Sequence, residues 1–178
     1  MSTTEAFSQT LISAGAAGGL IKVEGCEPDL AAPHRWPEKD VTLSAFLDTI
    51  TGENPWYRWE LTDGALDLVP SSGDPALLRT RITHIHLRSV VLNNAIHQII
   101  SLPEVQQAAV NLGLTPGFVT LQGLAPLAGR KTFNLSCKNV TVREALNAAA
   151  LAEGRGIWAY TEYHCGGKNE YTVDVRAE

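Results

Sequence analysis

The chain has 178 residues, of which 44% are hydrophobic and 19% are charged. This composition is that of a folded globular protein and excludes intrinsic disorder. The net charge of −5 and the scattered basic residues argue against nucleic acid as the main partner, because phosphate binding needs a basic face. No run approaches the roughly 20 apolar residues of a membrane span.

The first half of the chain predicts a small α+β unit. Residues 1–15 are expected to be a flexible N-terminal segment, with a short helix possible before Gly15. The first unit is expected over residues 16–78. It begins with an alternating strand and a proline-rich loop. A helix with a stripe of apolar residues then leads into a hairpin around Asp63-Gly64.

The second half predicts a larger unit, residues 79–178, which can pack with the first as one domain. It opens with a strand and a pair of helices, 92–102 and 104–112, the second started by Pro103. A strand is expected at 118–121. A further strand, a helix capped near Thr141 and a closing hairpin complete the unit.

Two stretches repeat at a constant offset of 99 residues. Val41 corresponds to Val140, and Trp59 corresponds to Trp158. The offset becomes 107 after the first hairpin strand, so eight residues are inserted near 164–169. The fold predicted from this pattern is α+β, with two related strand–helix–hairpin units and a helical pair between them.

The run Asn139-Val-Thr-Val-Arg-Glu-Ala-Leu146, followed by Gly154 and Ile157-Trp-Ala-Tyr160, resembles the short N-terminal domain of secretins and TonB-dependent receptors. The stretch 131–135 matches the leading strand of that family, and 41–61 is a weaker second match. The downstream pore, plug or barrel of these proteins has no counterpart here. The resemblance implies a small α+β module used for protein contacts in the bacterial cell envelope, without catalytic residues.

The three cysteines contain no CxxC motif, so a cysteine zinc site is not expected. Cys26 and Cys165 lie beside glycines in loop-like settings and form the better disulfide pair; the other reading is three separate thiols. The apolar stretch 11–21 lacks a basic flank and does not read as a signal peptide. A periplasmic or otherwise extracytoplasmic location is expected, with a cytoplasmic one as the alternative.

The reactive side chains form no familiar constellation. His84 and His86 could share a metal with a third ligand from His97, Asp74 or elsewhere, but no metal-binding spacing supports this, so no metal site is expected. His164 and Cys165 could be a base and a nucleophile, yet neighbours on a strand usually point apart. The glycine-rich run 15–19 lacks the phosphate-binding spacings, so no cofactor is expected.

Carboxylates gather near the first hairpin. Strand alternation predicts that Glu60 and Asp67 face solvent, where they would serve solubility rather than acid–base chemistry.

The aromatic residues point to binding. Trp36 and Trp56 occur in proline-containing loops and, with Tyr163, are the candidate interaction residues. We expect a non-catalytic docking module with a protein partner. The alternatives are a small-ligand or carbohydrate-binding protein using the loop aromatics, and a thiol-dependent hydrolase. The oligomeric state is not indicated.

Overall fold

The computed structural model describes residues 2–26, 41–117 and 131–176. Within them the chain forms five helices and eight strands, so the predicted α+β class is confirmed. The helices are α1 (Thr3–Ala14), α2 (Leu43–Gly52), α3 (Leu92–Ile100), α4 (Pro103–Asn111) and α5 (Val142–Glu153). The strands are β1 (Gly18–Glu24), β2 (Tyr57–Thr62), β3 (Ala65–Pro70), β4 (Arg81–Val90), β5 (Thr115–Pro116), β6 (Phe133–Thr141), β7 (Ile157–Cys165) and β8 (Lys168–Arg176).

The N-terminal segment differs from the flexible stretch expected for residues 1–15. Ser2 caps helix α1 through a reciprocal pair of hydrogen bonds with Glu5. Phe7 and Leu11 on this helix are fully buried. A capped helix with two large apolar side chains in the core is a structural part of the fold.

The main sheet has six strands in the order β2-β3-β1-β7-β8-β5. Strand β1 lies inside it and runs parallel to both β3 and β7. The two hairpins, β2–β3 and β7–β8, therefore lie on opposite sides of β1. Because β1 pairs with β3 of the first predicted unit and with β7 of the second, residues 16–78 and 79–178 do not form separate sheets.

The sheet is covered on both faces. Leu20 and Leu68 point to the face covered by α1 and α2, where they pack with Phe7 and Leu47. Neighbouring residues such as Ile21 point the other way, toward α3 and α5. A strand covered on both faces is mostly apolar, and every residue of β3 is buried, including its one charged residue, Asp67.

Strands β4 and β6 form a separate two-stranded antiparallel sheet. Its inward residues, including Ile82, Leu87 and Leu135, join the core formed by α3, α4 and α5. Helix α5 packs against β6 on one side and against β1, β3 and β7 on the other. These helices thus lie between the six-stranded sheet and the β4–β6 pair.

The eight residues inserted in the second half lengthen a hairpin rather than form a loop. Strand β7 continues to Cys165, and a two-residue turn at Gly166 and Gly167, both with positive φ, leads into β8. Trp158 pairs with Val175, as Trp59 pairs with Leu68. The insertion is therefore shared between the two strands.

The expected strand at 118–121 lies outside the described residues. Among the helices that are described, none is long and apolar enough to cross a membrane.

Candidate functional site

A buried charge network lies between the first hairpin and helix α5. The guanidinium of Arg143 donates to Asp67 Oδ2 at 2.8 Å, to Glu60 Oε2 at 2.9 Å and to Asp74 at 2.9 and 3.0 Å. Asp67 is fully buried, and the Arg143 side chain is 10% exposed. One cation thus ties together β2, β3, the following connector and the first turn of α5.

The environment shifts the pKa values of the two carboxyl groups, Asp67 and Glu60, in opposite directions. Burial raises the pKa of Asp67, even though Asn147 and Arg143 stabilise its ionised form. For Glu60, burial opposes ionisation, but hydrogen bonds from Arg143 and Arg58 prevail and lower the pKa. Burial also disfavours the charge of Arg143, yet the carboxylates around it outweigh that cost and raise its pKa.

Two further polar contacts complete the network. Asn147 donates to Asp67 Oδ2 at 2.7 Å and accepts a hydrogen bond from Trp158 Nε1 at 2.8 Å. A matching contact joins Trp59 Nε1 to Asp48 at 2.8 Å in the first half. Each tryptophan is therefore fixed to the helix that precedes it by an Asp or Asn side chain.

The predicted solvent exposure is wrong for Asp67, whereas Glu60 is half-buried. Asp67 has no exposed surface, and Glu60 pairs with Arg143 as well as Arg58. Alternation identifies residues that share a face, but both faces of β3 are covered. Two signals were available: Asp67 interrupts the apolar run 65–69, and Arg143 stands in the first turn of a helix, where the dipole disfavours a cation.

A chain of side-chain hydrogen bonds runs along β7 from the buried Tyr160 to the exposed His164. The buried Tyr160 hydroxyl donates to Glu162, whose other carboxylate oxygen lies 2.7 Å from His164 Nε2. His164 Nδ1 lies 2.9 Å from Asn169 Oδ1. Burial and the bond to Glu162 raise the pKa of Tyr160. With an oxygen at each ring nitrogen, only the imidazolium form of His164 can donate twice, and its pKa is raised.

The cysteines occupy two different environments. The sulfur atoms of Cys26 and Cys165 lie 2.08 Å apart and form a disulfide, which joins the segment after β1 to the end of β7. Cys137 is the free cysteine, and burial raises the pKa of its thiol. A reactive cysteine needs an exposed thiol of lowered pKa. Neither His164-Cys165 nor Cys137 has that arrangement.

The two candidate interaction residues that the structure describes differ in position and exposure. Trp56 is 74% exposed just before β2, whereas Tyr163 is half-buried on β7. Trp36 lies outside the described residues. Of the two matched tryptophans, Trp158 is fully buried and Trp59 is half-buried.

Strand β2 lies at an edge of the described sheet. Exposed apolar side chains lie near its two ends: Trp56 just before the strand and Leu61, which is 65% exposed, within it. The two-residue turn at Asp63-Gly64 makes Thr62 and Ala65 a hydrogen-bonded pair. The peptide groups of Trp59 and Leu61 consequently point away from β3. This edge can accept another strand.

A cleft of about 920 Å³ lies where α3 and α4 face the edge of β8. Asn93, Asn94 and His97 line it from α3, Gln106 from α4, and Tyr171 and Asp174 from β8. Burial raises the pKa of Asp174. The described lining contains neither lysine nor arginine, so the cleft suits a neutral ligand better than an anion.

Metal binding finds no support in the described parts of the chain, where no three His, Cys, Asp or Glu side chains could hold an ion together. The His84 and His86 rings are stacked with centroids 6.4 Å apart, and Arg88 donates to His86 Nε2 at 2.8 Å. That hydrogen bond occupies the nitrogen lone pair that a metal would use.

No family model, curated protein or solved structure matches this chain.

Proposed function

We propose that the chain is a non-catalytic docking module of an envelope-associated bacterial protein, and that it binds an extended segment of a partner protein along β2. The observation that carries this proposal is the outer edge of β2, where the peptide groups of Trp59 and Leu61 point away from the sheet. Strand addition supplies main-chain hydrogen bonds. Trp56 and Leu61 supply apolar contacts at the two ends of the strand.

The proposed compartment is the periplasm or another extracytoplasmic space. Its support is the Cys26–Cys165 disulfide, because such bonds persist in oxidising environments and are rare in the cytosol. The proposal of an envelope module also draws on the resemblance to the short N-terminal domain of secretins and TonB-dependent receptors. The residues that carry this resemblance occupy β6, α5 and β7 in unbroken succession.

We further propose that the two strand–helix–hairpin segments derive from one duplicated unit. Thr42 and Thr141 cap the helices, and the Trp59–Asp48 and Trp158–Asn147 hydrogen bonds recur at the same offset of 99 residues. Because β3 and β7 both run parallel to β1, the second hairpin is inverted relative to the first. A half-turn about an axis across the strands would also place α2 and α5 on opposite faces, as observed.

A photo-crosslinking amino acid at Trp56, used in the native host, tests the docking proposal. We expect a discrete protein adduct that the Leu61→Pro variant abolishes. Proline removes the outward N–H of residue 61, and an edge strand tolerates it. The matched control is the same crosslinker at Val110, an apolar residue on α4 that is 70% exposed.

The docking proposal fails if the Trp56 position yields no adduct, if Val110 yields the same adduct, or if a folded Leu61→Pro protein still gives it. Circular dichroism of the purified variant establishes that it is folded.

The cleft beside α3 favours a second candidate, the binding of a small neutral ligand. Its amide side chains can bond hydroxyl groups, but Trp56 does not line it. An NMR titration with a panel of neutral mono- and disaccharides tests this candidate. We expect shifts confined to α3 and β8 that Asn94→Ala weakens; no response to any sugar would remove it.

We do not propose a thiol-dependent hydrolase, because Cys165 is held in the disulfide.

A further inference from the structure

The exposed charged side chains of the β4–β6 pair are all basic. We call the exposed cations and histidines of these strands the basic ribbon: Arg81, His84, His86, Arg88 and Lys138. Neither strand contains an aspartate or a glutamate, although the whole chain carries a net charge of −5. The basic ribbon is therefore a local reversal of the charge of the molecule.

The charges of the basic ribbon are not neutralised by ion pairs within the described structure. Arg81 donates to the backbone and side-chain oxygens of Asn139, and Arg88 donates to His86. Both partners are neutral acceptors, so the guanidinium charges stay available. Lys138 lies opposite His84 in the strand register.

The spacing of these side chains follows the strand period. His84, His86 and Arg88 alternate with the buried Ile85 and Leu87. Exposed residues two apart on a strand are separated by roughly 7 Å. Acidic residues at alternate positions of an extended polypeptide have the same spacing.

Each strand of this pair also has an edge without a strand partner among the described residues. Main-chain pairing and charge pairing can thus act together on one extended segment. A duplex nucleic acid or an anionic membrane would meet the unfavourable net charge of the whole molecule along with the basic ribbon.

We propose that the basic ribbon binds an extended acidic segment of a partner protein, with its carboxylates at alternate positions. This rests on the proposed docking function and names a second contact and the chemistry of the partner.

The test uses a fluorescent dodecapeptide of alternating Glu and Thr and measures its affinity for the full chain by anisotropy at low salt. The triple variant Arg81→Gln, Arg88→Gln and Lys138→Gln should weaken binding by about tenfold, since each exposed ion pair contributes about twofold. The control removes three exposed cations elsewhere, through Arg155→Gln, Lys168→Gln and Arg176→Gln. It should weaken binding less than about threefold.

Two further arms decide the class of partner and the geometry. A peptide with six Glu followed by six Thr should bind more weakly than the alternating one. Duplex DNA and phosphatidylglycerol vesicles should also bind more weakly.

The proposal is overturned if the control triple variant matches the ribbon variant, if the block peptide binds as tightly, or if DNA or vesicles bind better. Lack of binding by the wild-type chain also overturns it. Each of these results leaves the cell-based crosslinking at Trp56 untouched, and failure of that crosslinking leaves the peptide affinities untouched. The two proposals can therefore fail separately.

Discussion

At the residue scale, Arg143 is where removal of one side chain should have the largest effect. Arg143→Met leaves Asp67 fully buried without its cation, and breaking a buried pair in this way costs about 3–5 kcal/mol of unfolding free energy. Urea denaturation followed by circular dichroism measures the change. Adding Asp67→Asn should recover part of the loss, because the buried charge disappears with its partner.

Arg58→Met is the matched control, since its side chain is 44% exposed and pairs with the same Glu60. Exposed ion pairs contribute at most about 1 kcal/mol, so this variant should remain close to wild type. Equal losses for the two arginine variants would show that burial does not govern the network.

His164 provides the second prediction at this scale. Its pKa is raised by the hydrogen bond to Asn169 and by Glu162. The folded-state pKa lies above the unfolded value of 6.5, so the stabilisation is complete below that pH. It is lost as the pH rises through the folded-state pKa. An NMR titration of the His164 ring should show a lower pKa in both Asn169→Ala and Glu162→Gln. An unchanged titration curve in both variants would contradict the two-acceptor arrangement.

At the element scale, β1 depends on two glycines that bring its backbone close to its neighbours. A Cβ on Gly18 would lie 1.8 Å from the carbonyl oxygen of Leu66, and one on Gly19 would lie 2.3 Å from the Trp158 ring. Alanine at either position should cost about 1–3 kcal/mol or more, as overpacking does. Thermal and urea unfolding of both variants measure the effect.

Gly25→Ala is the control, because nothing lies within 4 Å of a Cβ at that position. Its unfolding free energy should stay within about 0.5 kcal/mol of wild type. If Gly18→Ala and Gly19→Ala changed the unfolding free energy as little as Gly25→Ala, the backbone of β1 would not approach β3 and the Trp158 ring as closely as described.

The helices and hairpins were more predictable from the sequence than the contacts between them. The pair α3 and α4 follows from apolar spacing and from Pro103 at the first helical position, and Thr141 with Glu144 marks the start of α5. These signals are local in sequence. The burial of Asp67 depends on α5 covering the second face of β3. Asp67 and its partner Arg143 on that helix are 76 residues apart in the sequence. Local periodicity carries no information about such a contact.

At the scale of the whole molecule, the sequence could suggest the Cys26–Cys165 pair but not the strand order that brings the two residues together. Glu24 lies opposite Tyr163 in the β1–β7 register, and the Cα atoms of the two cysteines are 4.7 Å apart. The parallel pairing of β1 with β7 joins segments far apart in the chain. Sequence separation alone could not have selected it.

The disulfide leads to a direct prediction for the intact chain. Alkylation of denatured protein purified without reductant from an oxidising compartment should label one thiol, Cys137. Reduction before alkylation should raise the count to all three cysteines. Mass spectrometry gives both counts, and three labelled thiols without reduction would contradict the bond.

Removing the bond should also lower stability. The double variant Cys26→Ser and Cys165→Ser should lose about 2–4 kcal/mol, because the bond restricts a long loop of the unfolded chain. Cys137→Ser serves as the control, since its thiol is bonded to no other cysteine. Similar losses for the two proteins would assign the effect to the substitution of serine rather than to the bond.

The same disulfide determines how the molecule would respond to mechanical tension. It closes a covalent loop over a sequence separation of 139 residues, which contains α5, the charge network and the basic ribbon. A pulling force applied at the two ends of the chain passes through the bond from Cys26 to Cys165 and bypasses that loop. Only the segments outside it, with α1, β1 and β8, can be drawn out. Both proposed docking surfaces lie within the closed loop and would not be extended, whereas β1 and β8 would be drawn out of the sheet.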